Sequence, residues 1–224
     1  DRLTNFSMDN KMIISCTKGI NENPFMTMSE AIEKHFNNSS IKVGVLSGPN
    51  LAKEIADEKV AGTVIASKHA DLCNQAREIL SSSTFKIYTS DDIKGIELAG
   101  ALKNIYAIIS GYCHSLDVGE NAIGLILTRS MAEMSNFAVN KGANPITFLG
   151  LAGMGDLVAT CFSKLSRNYQ FGWAIGEGLD VEAAKYKVGQ VAEGLNTIRI
   201  IHNEISSSKI RMPLVSGMLS LIHI

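Results

Sequence analysis

The stretch SDDIKGIELAGALKNIYAIISGYCHS, residues 90–115, decides the fold because the periodicity of the chain changes within it. Ser90, Asp91 and Asp92 form a good helix start, since short polar side chains can accept hydrogen bonds from the free N–H groups of a first turn. Behind them, apolar residues recur at helical intervals: Ile93, Ile96, Leu98, Leu102, Ile105 and Ile109. We therefore predict a long helix that opens a different kind of structure.

Before this stretch, from Lys11 to about Ser90, short β-branched runs alternate with helical patterns, and Gly, Pro, Asn or Ser marks each change. The predicted strands are 12–16, 43–46, 62–66 and 85–88, and the predicted helices are 27–36, 50–57 and 70–80. This alternation favours an α/β fold with a parallel or mixed sheet covered by helices, because parallel strands need crossover segments.

After residue 90 nearly all patterns are helical. Beyond the first long helix we predict helices over 121–140, 146–151, 169–177, 181–188 and 192–206, and an apolar helix-like segment over 218–224. The sequence predicts a domain boundary near Ser90, with residues 1–90 forming one unit and 91–224 a helical one. Both termini look cut, since the chain opens inside a βα pattern and closes without a C-cap signal.

Composition excludes several classes of protein. With 21 basic against 22 acidic residues and no long run of one sign, the chain offers no electrostatic surface for nucleic acid. Its apolar stretches fall far short of the ~20 residues that a membrane helix needs. The four cysteines lie far apart, without zinc-ligand spacing, so we expect no metal site and reduced thiols in a cytoplasmic protein: Cys16, Cys73, Cys113 and Cys161.

The segment ELAGALKN, residues 97–104, places Lys103 on a helix face beside Ala99, Gly100 and Ala107. On this small, apolar face the lysine could simply extend its ammonium group to water. Alternatively, the small neighbours admit a ligand, and desolvation lowers the pKa of the lysine into the range of a general acid or base.

The segment GLAGMGDL, residues 150–157, surrounds Asp156 with three glycines. Asp156 could cap a helix, or it could accept hydrogen bonds from ligand hydroxyl groups and orient Lys103. The segment is not a GxGxxG dinucleotide fingerprint, because Val158 stands where the third glycine is needed.

Three further segments could bind ligands. Arg167 lies between Ser166 and Asn168 ahead of a predicted helix, where the helix dipole gives a cation no advantage. Arg167 is either a solvated loop residue or part of an anion site with the free N–H groups of that helix. Residues 17–19 and 47–50 each follow a predicted strand, which is where open α/β sheets bind ligands.

Together and in this order, the segments 97–104, 118–122 (VGENA), 150–157 and 166–168 resemble the NAD(P)-dependent glycerol-3-phosphate dehydrogenase family, in its bacterial-type branch. The resemblance runs over almost the whole chain. It implies a partial Rossmann-type doubly wound sheet followed by a mostly helical substrate and catalytic domain. It also implies hydride transfer between NAD or NADP and C2 of sn-glycerol 3-phosphate, which yields dihydroxyacetone phosphate.

The resemblance carries roles to particular residues. The implied catalytic residues are Lys103, Lys18 and Asp156. The implied substrate-binding residues are Lys18, Gly48, Asn50, Lys103, Asn104, Asp156, Ser166, Arg167 and Asn168. The implied cofactor-binding residues are Lys18, Ala52, Arg167, Val191 and Glu193.

Three departures from the family pattern modify these expectations. No GxGxxG motif occurs in the chain, so we expect little dehydrogenase activity from this polypeptide alone. Asn50 stands where Thr or Ser is common, and Tyr169 replaces a frequent Arg. Two alternatives stay open: a related two-domain reductase for another small anionic substrate, and a non-catalytic helical module. The apolar, Met-bearing helices suggest a homodimer.

Overall fold

The computed structural model describes residues 7–37, 39–189, 192–206, 208 and 210–222. The strands are, in chain order, β1 (Met12–Ser15), β2 (Ile20–Asn21), β3 (Met26–Thr27), β4 (Lys42–Ser47), β5 (Ala61–Ser67) and β6 (Phe85–Ser90). The helices are α1 (Met28–His35), α2 (Ala52–Ala56), α3 (Ala70–Leu80), α4 (Ile93–Ser115), α5 (Glu120–Asn140), α6 (Asp156–Phe162), α7 (Arg167–Gly176), α8 (Val181–Val188), α9 (Glu193–Ser206) and α10 (Pro213–Ile222).

The main sheet is mixed, in the order β1-β4-β5-β6. The pairs β1–β4 and β5–β6 are parallel, whereas β4 and β5 are antiparallel. The connection between Ser47 and Ala61 contains the five-residue α2, and the chain reverses direction across it. The sequence had left parallel and mixed arrangements open, and the structure decides for the mixed one.

Helices cover both faces of this sheet. Side chains alternate along β5, so that Val64 and Ala66 meet the start of α4, while Ile65 faces Leu72 and Ala76 of α3. This arrangement is the doubly wound, Rossmann-type half that the sequence predicts.

Helix α4 is the centre of the helical half. Its residues from Ile96 to Gly111 are all buried, and α5, α6, α7 and α9 pack around it. The crossing with α7 is close: a Cβ on Gly172 would lie 1.8 Å from the backbone oxygen of Ile108. Only glycine permits this approach, so the α4–α7 contact depends on that position.

Several predicted elements need correction. The β2–β3 hairpin was not predicted, because two-residue strands leave no periodic signal. The predicted helix over 146–151 is a 3₁₀ helix, Pro145–Leu149, followed by a π-helical turn, Leu151–Gly155, and by the unpredicted α6. Asp156 is therefore not the N-cap of α6, since Gly155 occupies that position.

Two further helices start earlier than predicted. Helix α7 begins at Arg167 rather than near Tyr169, and α10 begins at Pro213 rather than at residue 218. Proline at the first helical position explains the second start. Within the described residues no helix is both long and apolar enough to cross a bilayer. All four cysteines are free.

Candidate active site

The carboxylate of Asp156 joins two lysines from distant parts of the chain. Lys18 Nζ donates to Asp156 Oδ2 at 2.7 Å, and Lys103 Nζ donates to Asp156 Oδ1. Lys18 lies on the loop after β1, Lys103 on α4, and Asp156 in the first turn of α6. The side chain of Asp156 is 1% exposed, that of Lys103 8% and that of Lys18 21%. The cluster is thus buried at Asp156 and opens toward solvent at Lys18.

Lys103 has a second partner on the same turn of α6. Its Nζ donates to Thr160 Oγ1 at 2.6 Å, and the Thr160 hydroxyl is itself positioned by the backbone oxygen of Asp156 at 2.6 Å. Burial lowers the pKa of Lys103 from 10.5 to about 8; the attraction of Asp156 opposes this effect, and the positive charge of Lys18 adds to it. The amine can therefore both accept and donate a proton near neutral pH.

The cluster has an excess of positive charge. Two ammonium groups face one carboxylate, so the site carries a net charge of +1 when Lys103 is protonated. An anionic ligand, or loss of the Lys103 proton, would balance that charge. Within the described residues no group of three or more His, Cys, Asp or Glu side chains could hold a metal ion.

The loop after β4 lies beside this cluster. The carbonyl of Gly48 accepts a hydrogen bond from Lys18 Nζ at 3.1 Å. Asn50 donates through Nδ2 to Thr63 Oγ1 at 2.8 Å, which leaves its Oδ1 buried without a hydrogen-bond partner in the described structure. Buried polar atoms are rarely unpaired in proteins, so an unpaired acceptor here is consistent with a ligand hydroxyl group.

The first turns of α7 and α9 meet near α4. Asn168 Oδ1 accepts from the backbone N–H of Gly194 at 2.9 Å, and Asn104 Nδ2 donates to Glu193 Oε2 at 3.4 Å. A Cβ on Gly194 would lie 2.7 Å from the backbone oxygen of Asn104, so only glycine allows this approach. Through the start of α9, these contacts link Asn104, the neighbour of Lys103, to Asn168, the neighbour of Arg167.

Ser166 and Arg167 begin α7. The hydroxyl oxygen of Ser166 accepts from the N–H of Tyr169 at 3.3 Å and so caps the helix, while its hydroxyl proton stays available to a ligand. Arg167 is exposed in the first turn, where the helix dipole is positive. The earlier start of α7 therefore puts Arg167 and Asn168 among the free N–H groups that favour anions.

Family models match both halves of the chain. The C-terminal model of NAD-dependent glycerol-3-phosphate dehydrogenase matches residues 92–223, and the N-terminal model matches residues 1–73. The chain belongs to the glycerol-3-phosphate dehydrogenase family. Its relatives include a Pseudomonas syringae pv. tomato protein named glycerol-3-phosphate dehydrogenase (NAD(P)+), 49% identical over 211 residues. That alignment covers 94% of this chain and 61% of the relative.

Solved structures of the family have the same fold. The Coxiella burnetii glycerol-3-phosphate dehydrogenase superposes with a TM-score of 0.94 at 33% identity, over 99% of this chain and 67% of that one. The Saccharomyces cerevisiae enzyme gives 0.81 at 26% identity, over 94% of this chain and 64% of that one. The chain thus spans about three fifths of the length of the curated relatives that it matches.

The structure brings some of the predicted site residues into contact and leaves others apart. Lys18, Gly48, Lys103 and Asp156 form one hydrogen-bonded cluster. Ala52 is exposed at the start of α2. Val191 lies outside the described residues.

Thr160 is the functional candidate that sequence analysis missed. The spacing of four residues from Asp156 was available as a signal, because it puts both side chains on one face of a helix. Because the sequence pattern does not predict α6, it assigns no role to Thr160.

Proposed function

We propose that this chain carries the catalytic and substrate-binding half of an enzyme that transfers a hydride between NAD or NADP and C2 of sn-glycerol 3-phosphate or dihydroxyacetone phosphate. The observation that carries the proposal is the amine of Lys103, held between Asp156 and Thr160 with its pKa lowered to about 8. Family membership supports the choice of reaction. Because the chain spans about three fifths of its curated relatives, the activity is proposed for the complete protein.

Proton transfer at the C2 oxygen is the role of Lys103. In the oxidation, the neutral amine accepts the hydroxyl proton of C2 as the C2–H bond breaks; in the reduction, the ammonium returns a proton to the carbonyl oxygen. Asp156 holds Lys103 in place and accepts a hydrogen bond from each of the two lysines. Lys18, on the more exposed side of Asp156, would polarise the same oxygen and would lower the pKa of its neighbour.

The phosphate of the substrate would bind at the start of α7. Arg167 supplies a fork of donors that matches phosphate geometry, and the amide of Asn168 and the hydroxyl of Ser166 add hydrogen bonds. The contact of Asn168 with Gly194 sets that amide against α9. Gly48 and Asn50, with its unpaired Oδ1, would contact the hydroxyl end of the three-carbon chain.

The dinucleotide would bind at the carboxyl ends of β1 and β4, the edge at which open α/β sheets bind such ligands and at which Lys18 and Gly48 meet. When bound, the nicotinamide ring supplies or accepts the hydride. We propose that Ala52, Val191 and Glu193, together with Lys18 and Arg167, contact it. The hydrogen bond between Asn104 and Glu193 would hold the latter near the reacting carbon.

We further propose that residues 1–90 are the C-terminal part of the dinucleotide-binding domain and residues 91–224 the helical substrate domain, in a cytoplasmic homodimer. The absence of GxGxxG from the sequence supports low activity of this polypeptide by itself. A non-catalytic helical module would not need a buried lysine with a lowered pKa, and this favours the enzyme over that alternative.

The decisive assay is NAD(P)H oxidation with dihydroxyacetone phosphate by a chimera that joins the N-terminal segment of the Pseudomonas syringae relative to this chain. Lys103→Met is compared with Lys94→Met, a partly exposed lysine on the same helix that pairs with Glu30. We expect kcat to fall about 10²- to 10⁴-fold for the first variant and to stay unchanged for the second.

Equal turnover in the two variants would eliminate the assignment of Lys103. Arg167→Ala tests whether the substrate is recognised by its phosphate. The variant should strongly raise KM for dihydroxyacetone phosphate, and its effect on kcat with a non-phosphorylated ketone should be much smaller. An unmodified chimera that folds, binds NAD(P)H and gives no turnover would contradict the proposed reaction.

A further inference from the structure

We propose that a second cavity, between α5, α9 and the start of α10, binds a small phosphate dianion, either free or as a phosphate monoester. The cavity measures about 500 Å³, a size suited to a small molecule. Its polar lining comes from Arg129, His202, Ser206, Arg211 and Ser216. The proposal is independent of the function assigned to Lys103.

A buried imidazole nitrogen is the first observation that points to a ligand. His202 Nδ1 is shielded from solvent and has no hydrogen-bond partner in the described part of the structure. A ring nitrogen in that position either carries a hydrogen that needs an acceptor or is itself an acceptor that needs a donor. In a cavity with two guanidinium groups, an anion oxygen is the partner that satisfies the nitrogen as a donor.

The charge of the lining is the second observation. Arg129 donates through Nε to Glu133 Oε1 at 3.3 Å, and the same oxygen accepts from the N–H of Leu214 at 3.1 Å. Glu133 is buried, whereas Arg129 lines the cavity with a half-exposed side chain, so this ion pair restrains the guanidinium. Within the described residues Arg211 forms no ion pair. The lining therefore carries two guanidinium groups, of which that of Arg129 is paired with a carboxylate.

Phosphate is the anion that this chemistry favours. A guanidinium presents parallel N–H donors that match two phosphate oxygens, and two arginines with a histidine supply enough donors for a dianion. The hydroxyl group of Ser216 lies on the same lining and can donate to a further oxygen, whereas that of Ser206 donates to the backbone oxygen of His202 at 2.7 Å.

The cavity is separate from the Lys103 site. Glu193 and His202 lie nine residues apart on α9, which corresponds to about 13 Å along the helix. The two sites therefore occupy different ends of one helix, and a binding experiment can distinguish them.

The test is a titration of the isotopically labelled chain with inorganic phosphate, followed by backbone and histidine side-chain NMR. We expect saturable shifts at His202, Arg129 and Arg211. Arg211→Glu, a change on the surface, should weaken phosphate binding there about tenfold or more, whereas Arg77→Ala, an exposed arginine on α3, should leave it unchanged.

Arg167→Ala distinguishes phosphate binding in this cavity from phosphate binding at the proposed substrate site. It should abolish any shifts at residues 166–168 and leave those around His202 intact. The proposal is overturned if phosphate shifts only residues 166–168, if no shift saturates, or if Arg77→Ala weakens the response at His202 as much as Arg211→Glu does. Thermal unfolding curves of the variants confirm that each comparison involves folded protein.

Discussion

Replacing Lys103 by methionine should change how the stability of the protein depends on pH. The side chain is 8% exposed, and its pKa is lowered from 10.5 to about 8, chiefly by burial. At about 1.4 kcal/mol per pH unit, this displacement corresponds to about 3 kcal/mol. The folded protein therefore bears a cost of about that size for holding the charged amine in its site.

The sign follows from proton linkage. Below pH 8 the amine is charged in both the folded and the unfolded chain, and the full cost is present. Between pH 8 and pH 10.5 the folded chain has lost the proton that the unfolded chain still binds, so the free energy of unfolding rises with pH. Above pH 10.5 both states are neutral and the cost is gone.

Urea unfolding followed by circular dichroism at several values between pH 7 and pH 10.5 measures this effect. Lys103→Met removes the titrating group, so the free energy of unfolding of the unmodified chain should gain about 2–3 kcal/mol relative to the variant across that range. Lys94→Met, on the same helix with a partly exposed side chain, corrects for lysine titration in general. A difference between the unmodified chain and Lys103→Met that stays constant from pH 7 to pH 10.5 would refute the reasoning.

Three further outcomes can be measured. Gly172→Ala should cost about 3 kcal/mol or more in urea unfolding, because its Cβ would overlap a carbonyl oxygen of α4, whereas Gly124→Ala, with open space around it, should be neutral or stabilising; equal effects would contradict the close crossing. Burial raises the pKa of Glu97 above 4.5, so the stability that its carboxyl group confers is full below pH 4.5 and is lost as pH rises through the folded pKa. Glu97→Gln should therefore gain stability relative to the unmodified chain from pH 4.5 to pH 7, and a constant difference would argue against a buried charge. A thiol reagent followed by peptide mass spectrometry should label exposed Cys16 in the native protein, but not Cys161, whose pKa burial raises to about 12; early labelling of Cys161 would contradict its burial.

Local patterns predicted the regular elements well where those elements are long. The apolar spacing after Asp92 predicts α4. The side chain of Asp92 caps this helix by accepting a hydrogen bond from the N–H of Gly95. The pattern failed between residues 145 and 162, where a 3₁₀ helix, a π-helical turn and a short α-helix follow one another. Changes in helical pitch disturb the periodicity on which such predictions rest.

Residue types also indicated the chemistry before any geometry was known. A lysine among small side chains, an aspartate among glycines and an arginine ahead of a helix are each compatible with a bland role, and their common order along the chain indicated the family. The sequence could not state that one carboxylate accepts hydrogen bonds from both lysines, nor that Lys103 also donates to Thr160.

By itself the sequence determined the secondary structure of the long segments and the α/β-then-helical arrangement, and it predicted side chains for proton transfer and for phosphate binding. These depend on neighbours within a turn or two of the chain. Only the tertiary structure decided that Lys18 and Lys103 meet at Asp156, 138 and 53 positions away, and that β5 runs against β4. Those contacts arise from packing around α4, where burial lowers the pKa of Lys103, and no short window of sequence contains the partners that create that environment.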